Sequence, residues 1–356
     1  MTKHLLLRNV SALFPRRHGR RTLGVGIEQE LLTRDVVDGR PALIHRVGLA
    51  IAGSSYERWT GFEPGGQVEL SLPCFPSVTE LAQAWPRIIR ELREDVARVG
   101  VVLDADPVDT RSPDEVPLQL ESPRYVGMQR HFDRIGPAGR RMMRRTASTQ
   151  VCLDWWPGRA GLEQWRLANL AGPFLAAALA RSSGAGSRLA TWLAVDPDRT
   201  AYDDRLLRGL DPAAAYADFA AGAAVFAMPR AVEPEQPITF ATWAKGHEVD
   251  DASVAHHLST LFPPVRPRGR YLEVRFLDAQ PDELVVPAAA LFCRLMYDDD
   301  VRRQALRIVQ FDDPRFVDHW QQAALHPEQL VDRGAALVQL AAGPAVTATS
   351  GLVGVA

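Results

Sequence analysis

At 356 residues, 46% of them hydrophobic, the chain can fill a sizeable core, and its length allows either two or three domains or one large mixed α/β unit. A formal net charge of −2 removes the electrostatic case for nucleic acid or a membrane surface as partner. Three cysteines (Cys74, Cys152 and Cys293), far apart and without CxxC spacing, exclude a disulfide framework and fit a reduced, cytoplasmic protein.

Residues 1–22 read as an N-terminal extension. Arg8 interrupts its apolar run well short of the roughly 20 residues that cross a bilayer, and nothing in it reads as an export signal. A first strand is expected from Leu23 to Thr33, with Glu28 and Glu30 on one face and Ile27 and Leu31 on the other. After "EPGG" the same alternation returns. Gln67, Glu69 and Ser71 oppose Val68, Leu70 and Leu72, and the Gly65-Gly66 pair supplies the tight turn before them.

Ser77 and Glu80 form a capping-box sequence that opens a helix toward Val99, stopped by Gly100 and either kinked or delayed by Pro86. "VGVVLDADP" reads as a buried strand and "SPRYVGMQRHFDRIG" as a short helix ending at Gly136. "RMMRRTASTQVCLDW" enters a strand that puts Gln150, Cys152 and Asp154 on one face. Helices follow at Leu162 to Arg181 and Pro212 to Gly222, then a loop of prolines and acids near Glu233 to Pro237. A strand at Tyr271 carries Glu273 and Arg275 opposite Leu272, Val274 and Phe276, helices run from about Glu283 to Gln321, and 343–356 reads as a flexible tail. Several polar-faced strands separated by long helices give an α+β protein whose sheet exposes one face to a cleft.

No P-loop, complete dinucleotide fingerprint, G-x-S-x-G or H-E-x-x-H sequence occurs, so a bound nucleotide would be held by other means. Glu28, Glu30, Glu63, Glu69 and Glu273, if gathered on one face, would repel one another, and two or three Mg²⁺ would remove that cost while bridging to phosphate oxygens. Any one acid pair is better explained as an ordinary solvated strand face, and it is three such pairs in apolar surroundings that point toward a site. Arg275 can bind a carboxylate or phosphate, or simply pair with Glu273. "GHEVDDASVAHH" matches no zinc spacing and reads as a charged helix start, Cys152 lacks a base partner, and Trp155 and Trp156 read as core or pocket wall.

The segments "GFEPGGQVELSLP", "GRRMMRRTASTQVCLD", "DPDRT" and "HLSTLFPPVRPRGRYLEVRFLDAQP" closely resemble the glutamate-cysteine ligase family of the plant-like type. Within it they are most similar to the actinobacterial branch serving ergothioneine synthesis, and the similarity runs in order from about Leu23 to Cys293. The resemblance implies a fold like glutamine synthetase and the guanidino kinases, a curved, mainly antiparallel sheet with helices on the convex side, forming a single catalytic domain over 23–342. It implies ATP-dependent joining of the γ-carboxylate of glutamate to the amine of cysteine through γ-glutamyl phosphate, with small-molecule substrates only.

By position in those motifs, Glu28, Glu30, Glu63, Glu69, Gln150 and Glu273 look like metal-facing residues, and Glu69 and Arg275 like the ones closest to the chemistry. Thr146, Ser148, Arg188 and Arg199 match the substrate region. Where relatives have Ala-Asn-Ser-Pro this chain has "ARSSG", and the guanidinium of Arg181 is expected to bind substrate and to favour an acceptor with an extra acid group. A phosphotransferase on the same scaffold and a non-catalytic partner are the competing readings.

Overall fold

The computed structural model describes residues 2–15, 19–200, 207, 211–229, 234–309 and 316–343. Its strands are β1 (Val25–Asp35), β2 (Thr60–Phe62), β3 (Val68–Ser71), β4 (Val101–Asp104), β5 (Ser148–Asp154), β6 (Val265–Pro267) and β7 (Tyr271–Asp278). They form one open sheet in the order β2-β3-β1-β5-β7-β6, with every pairing antiparallel and β4 joined to the C-terminal half of β1.

The helices of the first half are α1 (Thr2–Ser11), α2 (Ile44–Ile51), α3 (Val78–Ala97), α4 (Pro123–Asp133), α5 (Ala138–Arg145), α6 (Gly158–Leu170) and α7 (Gly172–Ala178). The remainder are α8 (Arg188–Val195), α9 (Pro197–Thr200), α10 (Pro212–Gly222), α11 (Phe240–Trp243), α12 (Asp251–Ser259), α13 (Asp282–Tyr297), α14 (Asp299–Val309), α15 (Phe316–Leu325) and α16 (Val331–Ala342).

Alternation decides which face of the sheet is covered. Ile27, Leu31, Val68, Leu70, Val151, Leu153, Leu272 and Val274 are each at most 1% exposed and join one core. Burying each contributes roughly 1.5–3 kcal/mol. Helices α3 and α13 pack on β1, α13 on β5, and α7 on β7, so the acids between those apolar residues are left to the other face. Ser77 caps α3 by accepting the Glu80 amide at 3.3 Å.

The structure corrects several sequence expectations. The α3 helix starts at Val78 and runs past Pro86, so the proline does not delay it. The strand β4 is buried on one face only: Val101 and Leu103 join the main core, while Val102 faces solvent and the strand pairs only with β1. The expected Leu162–Arg181 helix is two helices, broken where Gly172 and Pro173 begin α7. In the segment read as an extension, α1 buries Leu6 and Val10 in the main core and packs against α10 and α12. The expected tail lies, apart from Gly343, outside the described residues, as does Glu233 of the expected loop.

The glycine pair has a mechanical reason. Gly66 sits at φ +91°, and a Cβ on Gly65 would meet the Arg144 carbonyl oxygen at 2.3 Å. The turn is pinned by Glu63 N–H to the Gln67 carbonyl at 2.9 Å, Gln119 N–H to the Pro64 carbonyl at 2.7 Å and the Thr33 hydroxyl to the Gly66 carbonyl at 3.0 Å. Gly65→Ala is therefore expected to destabilise by about 1–3 kcal/mol, seen as a lower melting temperature, because backbone rather than a flexible side chain must move. An unchanged melting temperature would show that the close approach is not maintained in solution.

Candidate functional site

Cross-strand register assembles the site. Glu30 opposes Glu69, Glu28 opposes Ser71 on one side and Gln150 on the other, and Cys152 opposes Glu273. The hairpin turn between β2 and β3 brings Glu63 alongside. One carboxylate oxygen from each of Glu30, Glu63 and Glu69 lies within 4.8 Å of the others, all three residues being partly buried. That spacing suits oxygens sharing a divalent cation.

Hydrogen bonds aim the carboxylates. The Ser148 amide donates to Glu30 Oε2 at 2.7 Å, Gln150 Nε2 donates to Glu30 Oε1 at 3.1 Å, and the Ser71 hydroxyl donates to Glu69 Oε1 at 2.8 Å. Gln150 also accepts from Arg275 Nη1 at 2.7 Å, and the same nitrogen donates to Glu273 Oε1 at 2.8 Å. Gln150 thus couples the acidic half of the face to the basic half.

The two halves titrate in opposite directions. Burial, then the charges of Glu273 and Glu69, raises Glu28 from 4.5 to about 8. Burial raises Glu30, with Glu69 adding to the effect, and burial with the Glu30 and Glu69 charges holds Glu63 well above the usual carboxylate range. Glu273 is different. Burial pushes it up, but Arg275, Arg266 and Arg268 outweigh burial and lower it. Burial disfavours the charge on Arg275, yet Glu273, Glu28, Glu30 and Glu63 together keep it firmly cationic.

A pH dependence follows for the metal-free protein. Glu28, Glu30 and Glu63 are raised in the folded state, so the protons they hold stabilise it fully below the unfolded value of 4.5. That contribution is lost as pH rises through the folded values, which for Glu28 means about 8. Glu273, lowered, loses its contribution only as pH falls, outside this window. In chelator the melting temperature should fall between about pH 5 and about pH 8, and Mg²⁺ should raise it progressively more across that range. A Mg²⁺ effect that does not grow with pH would contradict the cluster.

The sequence candidates divide cleanly. Glu30, Glu63 and Glu69 meet, with Gln150 and Glu28 beside them. Glu273 shares their face but is ringed by guanidiniums, with Arg266 Nη1 at 3.8 Å and Arg268 Nε at 3.9 Å in addition to Arg275. Arg188, only 2% exposed, donates from Nη2 to the Arg275 carbonyl at 3.0 Å, while its Nε and Nη1 have no hydrogen-bond partner. Buried unpaired donors of this kind are what an anionic ligand satisfies.

Three substrate candidates need correction. Arg199 is fully buried and spends its guanidinium on Asp196 at 3.0 Å, on the Thr260 carbonyl and hydroxyl at 2.8 and 2.6 Å, and on the Ala224 carbonyl, so it is a strut and not a ligand group. The Thr146 hydroxyl donates to the Met142 carbonyl at 2.8 Å and finishes α5. The Arg181 side chain turns Nη1 to the Ala105 and Ala279 carbonyls at 2.5 and 2.9 Å and Nη2 toward Asp106 at 3.9 Å, so its guanidinium is engaged by acceptors of this chain. Ser148 contributes through its amide to Glu30, its hydroxyl being 3.4 Å from Gln150 Nε2.

The bland readings agree with the structure. Asp250 caps α12 by accepting the Ser253 amide, and buried His257, its pKa driven to about 3 by burial, bonds to the Ala220 carbonyl. Burial and then Glu28 hold the Cys152 thiol far above neutrality, so it is no ready nucleophile. Trp155 and Trp156 are buried.

Sequence reasoning missed Asp278, Arg266 and Arg268. Asp278 lies five residues from Glu273, which by alternation puts it on the opposite face. The pairing of β5 with β7 shifts between Thr149 and Val151, so that Arg275 and Phe276 both oppose Gln150, and this bulge returns Asp278 to the site face opposite Ser148.

A carboxylate cluster faces an arginine strip on an open antiparallel sheet, a charge pattern suited to cations on one side and anions on the other. Residues 24–328 match the family model described as glutamate-cysteine ligase family 2 (GCS2), and the chain belongs to that family. It is 35% identical over 265 residues to the glutamate–cysteine ligase EgtA of Mycolicibacterium smegmatis, a match covering 68% of this chain and 60% of that protein. The same protein of Mycobacterium tuberculosis is 35% identical over 263 residues, covering 67% and 59%. The chloroplastic glutamate–cysteine ligase of Arabidopsis thaliana is 26% identical over 263 residues, covering 67% and 49%. Each match thus takes in less than two thirds of the relative. Among solved structures, a bifunctional glutathione synthetase from Pasteurella multocida aligns with a TM-score of 0.40 at 12% identity, covering 98% of this chain and 52% of that one, a likeness too slight to define the fold. Among the described residues no helix is long and apolar enough to cross a membrane.

Proposed function

We propose that this chain is an ATP- and Mg²⁺-dependent carboxylate-amine ligase that joins the γ-carboxylate of glutamate to the amine of cysteine, giving γ-glutamylcysteine for ergothioneine synthesis in the cytoplasm. The single observation that carries the reading is the meeting of Glu30, Glu63 and Glu69, with oxygens within 4.8 Å, across the sheet face from Arg275 and Arg188. The printed activity of the relatives, glutamate–cysteine ligase, supports the choice of substrates. In this reading the sheet is curved as in glutamine synthetase and the guanidino kinases, and residues 23–342 form one catalytic domain.

The donor set suits Mg²⁺: carboxylate oxygens and a side-chain amide, while the Cys152 thiol on the same face is kept protonated by burial and is a poor ligand for a hard cation. Glu30, Glu63 and Glu69 would hold one ion, and Glu28, raised by burial and then by the Glu273 charge, would hold another together with Glu273. Bound there, Mg²⁺ supplies positive charge to the phosphate oxygens of ATP.

In the first step a γ-carboxylate oxygen of glutamate attacks the γ-phosphorus of ATP, the bond to the β-phosphate oxygen breaks, and ADP leaves. The cysteine amine then attacks the acyl carbon, the bond to the phosphate oxygen breaks, and phosphate leaves as the nitrogen loses a proton. Arg275, held cationic beside Gln150 and Glu273, is placed to stabilise charge spreading over the transferred phosphoryl group. Arg188, with two unpaired nitrogens, is placed to take a carboxylate of glutamate.

The test is an ADP-release assay with glutamate and Mg²⁺, run with and without cysteine, followed by mass analysis of the product. Cysteine-dependent ADP release with γ-glutamylcysteine as product is the expected result. Accumulation of a stable phosphorylated product without any amine would establish the phosphotransferase instead, and a strong preference for another amine in a panel would displace cysteine as acceptor.

A further inference from the structure

We infer that Asp278 and Ser182 are positioning residues that act through Arg188, an inference that rests on the ligase reading. The segment between α7 and α8 returns the chain to the site, and its start is fastened to the sheet. Asp278 Oδ2 accepts from the Arg181 amide at 2.8 Å, the Ser182 amide at 2.7 Å and the Ser182 hydroxyl at 2.9 Å. The Ser182 oxygen in turn accepts from the amide of Arg188, the first residue of α8, at 3.0 Å. Two bonds in series therefore connect the carboxylate at the β7 bulge to the backbone of Arg188.

The base of this chain is rigid. Gln280 donates from its amide nitrogen to the Thr149 hydroxyl at 2.8 Å and from Nε2 to the Asp278 carbonyl at 3.0 Å and the Leu179 carbonyl at 3.1 Å. Thr149 itself donates to Gln29 on β1 at 2.6 Å. Arg181 adds a staple on the outer side through the Ala279 and Ala105 carbonyls. Buried and within the field of Arg188, Asp278 makes no contact that requires a substrate. Its bonds are those that set where α8 begins, and a guanidinium with two unpaired buried nitrogens depends on that placement for its aim.

Calorimetric titration of glutamate, with Mg²⁺ present, into wild type, Ser182→Ala, Arg188→Lys and the double variant tests the inference. Ser182→Ala should bind glutamate about tenfold more weakly, Ser182→Thr should restore binding, and in turnover the glutamate KM should rise while kcat and the ATP KM hold. Asp278→Ala, which removes the oxygen that accepts all three bonds, should act in the same direction and more strongly. In the Arg188→Lys background the Ser182→Ala effect should largely vanish, because it acts through that arginine. Full additivity of the two changes, or glutamate binding unaltered in Ser182→Ala, would overturn the positioning role. So would an absence of glutamate binding in wild type. Intact wild-type binding without turnover strikes the ligase reading alone.

Discussion

Glu69→Gln is expected to lower ADP formation by about a thousandfold while raising the melting temperature of the metal-free protein. Two of its effects come from one geometry. An amide keeps the oxygen that accepts from the Ser71 hydroxyl at 2.8 Å, so the local structure survives. What is lost is one of three carboxylates whose oxygens lie within 4.8 Å of one another, the one whose charge helps to raise Glu28, Glu30 and Glu63. Without a cation that charge opposes ionisation of its neighbours, and removing it relaxes the apo protein. With a cation the missing charge weakens the grip on the ion that faces the phosphates. Steady-state turnover measured beside thermal melts in chelator and in Mg²⁺ checks both signs together. Ordinary activity would remove Glu69 from the site, and a lower apo melting temperature would show that the carboxylates are not crowded.

Arg275→Lys should cost about a hundredfold in kcat, with a smaller change in the KM for ATP. Lysine preserves the charge but not the planar fork: Arg275 spends Nη1 on both Gln150 at 2.7 Å and Glu273 at 2.8 Å, and its buried Nε, which has no hydrogen-bond partner, is a donor that lysine lacks. An effect concentrated in kcat marks an interaction that strengthens as the phosphoryl group moves. The competing role, neutralising Glu273, makes a different prediction. If that were its whole purpose, Arg275→Lys would turn over normally, since the lysine charge would still balance Glu273. The ligase reading predicts the loss of about a hundredfold although the charge is kept.

The faces of the long strands were legible because alternation over β1, β3 and β7 places each acid opposite a core residue, and the core residues proved buried. That much brought Glu28, Glu30, Glu69 and Glu273 to one side. Glu63 needed the tight turn as well, and the glycine pair announced it. Three things were hidden. Strands of three residues such as β2 and β6 are too short to show a period, so Arg266 went unnoticed. The β7 bulge is a mismatch between two strands and has no signature in either alone, so alternation gives no reason to look for Asp278 on the site face. The direction of a guanidinium is set by whatever acceptors the fold brings near it. Arg188 and Arg199 looked alike in sequence, yet one keeps free donors beside the acids and the other is consumed by Asp196 and Thr260.

The most direct test of the account is anomalous diffraction from crystals of the chain grown with Mn²⁺ and a non-hydrolysable ATP analogue. The account predicts an anomalous peak between Glu30, Glu63 and Glu69 in contact with a phosphate oxygen, lost in Glu69→Gln. Metal and triphosphate bound elsewhere, with those three side chains reaching only water, would contradict it.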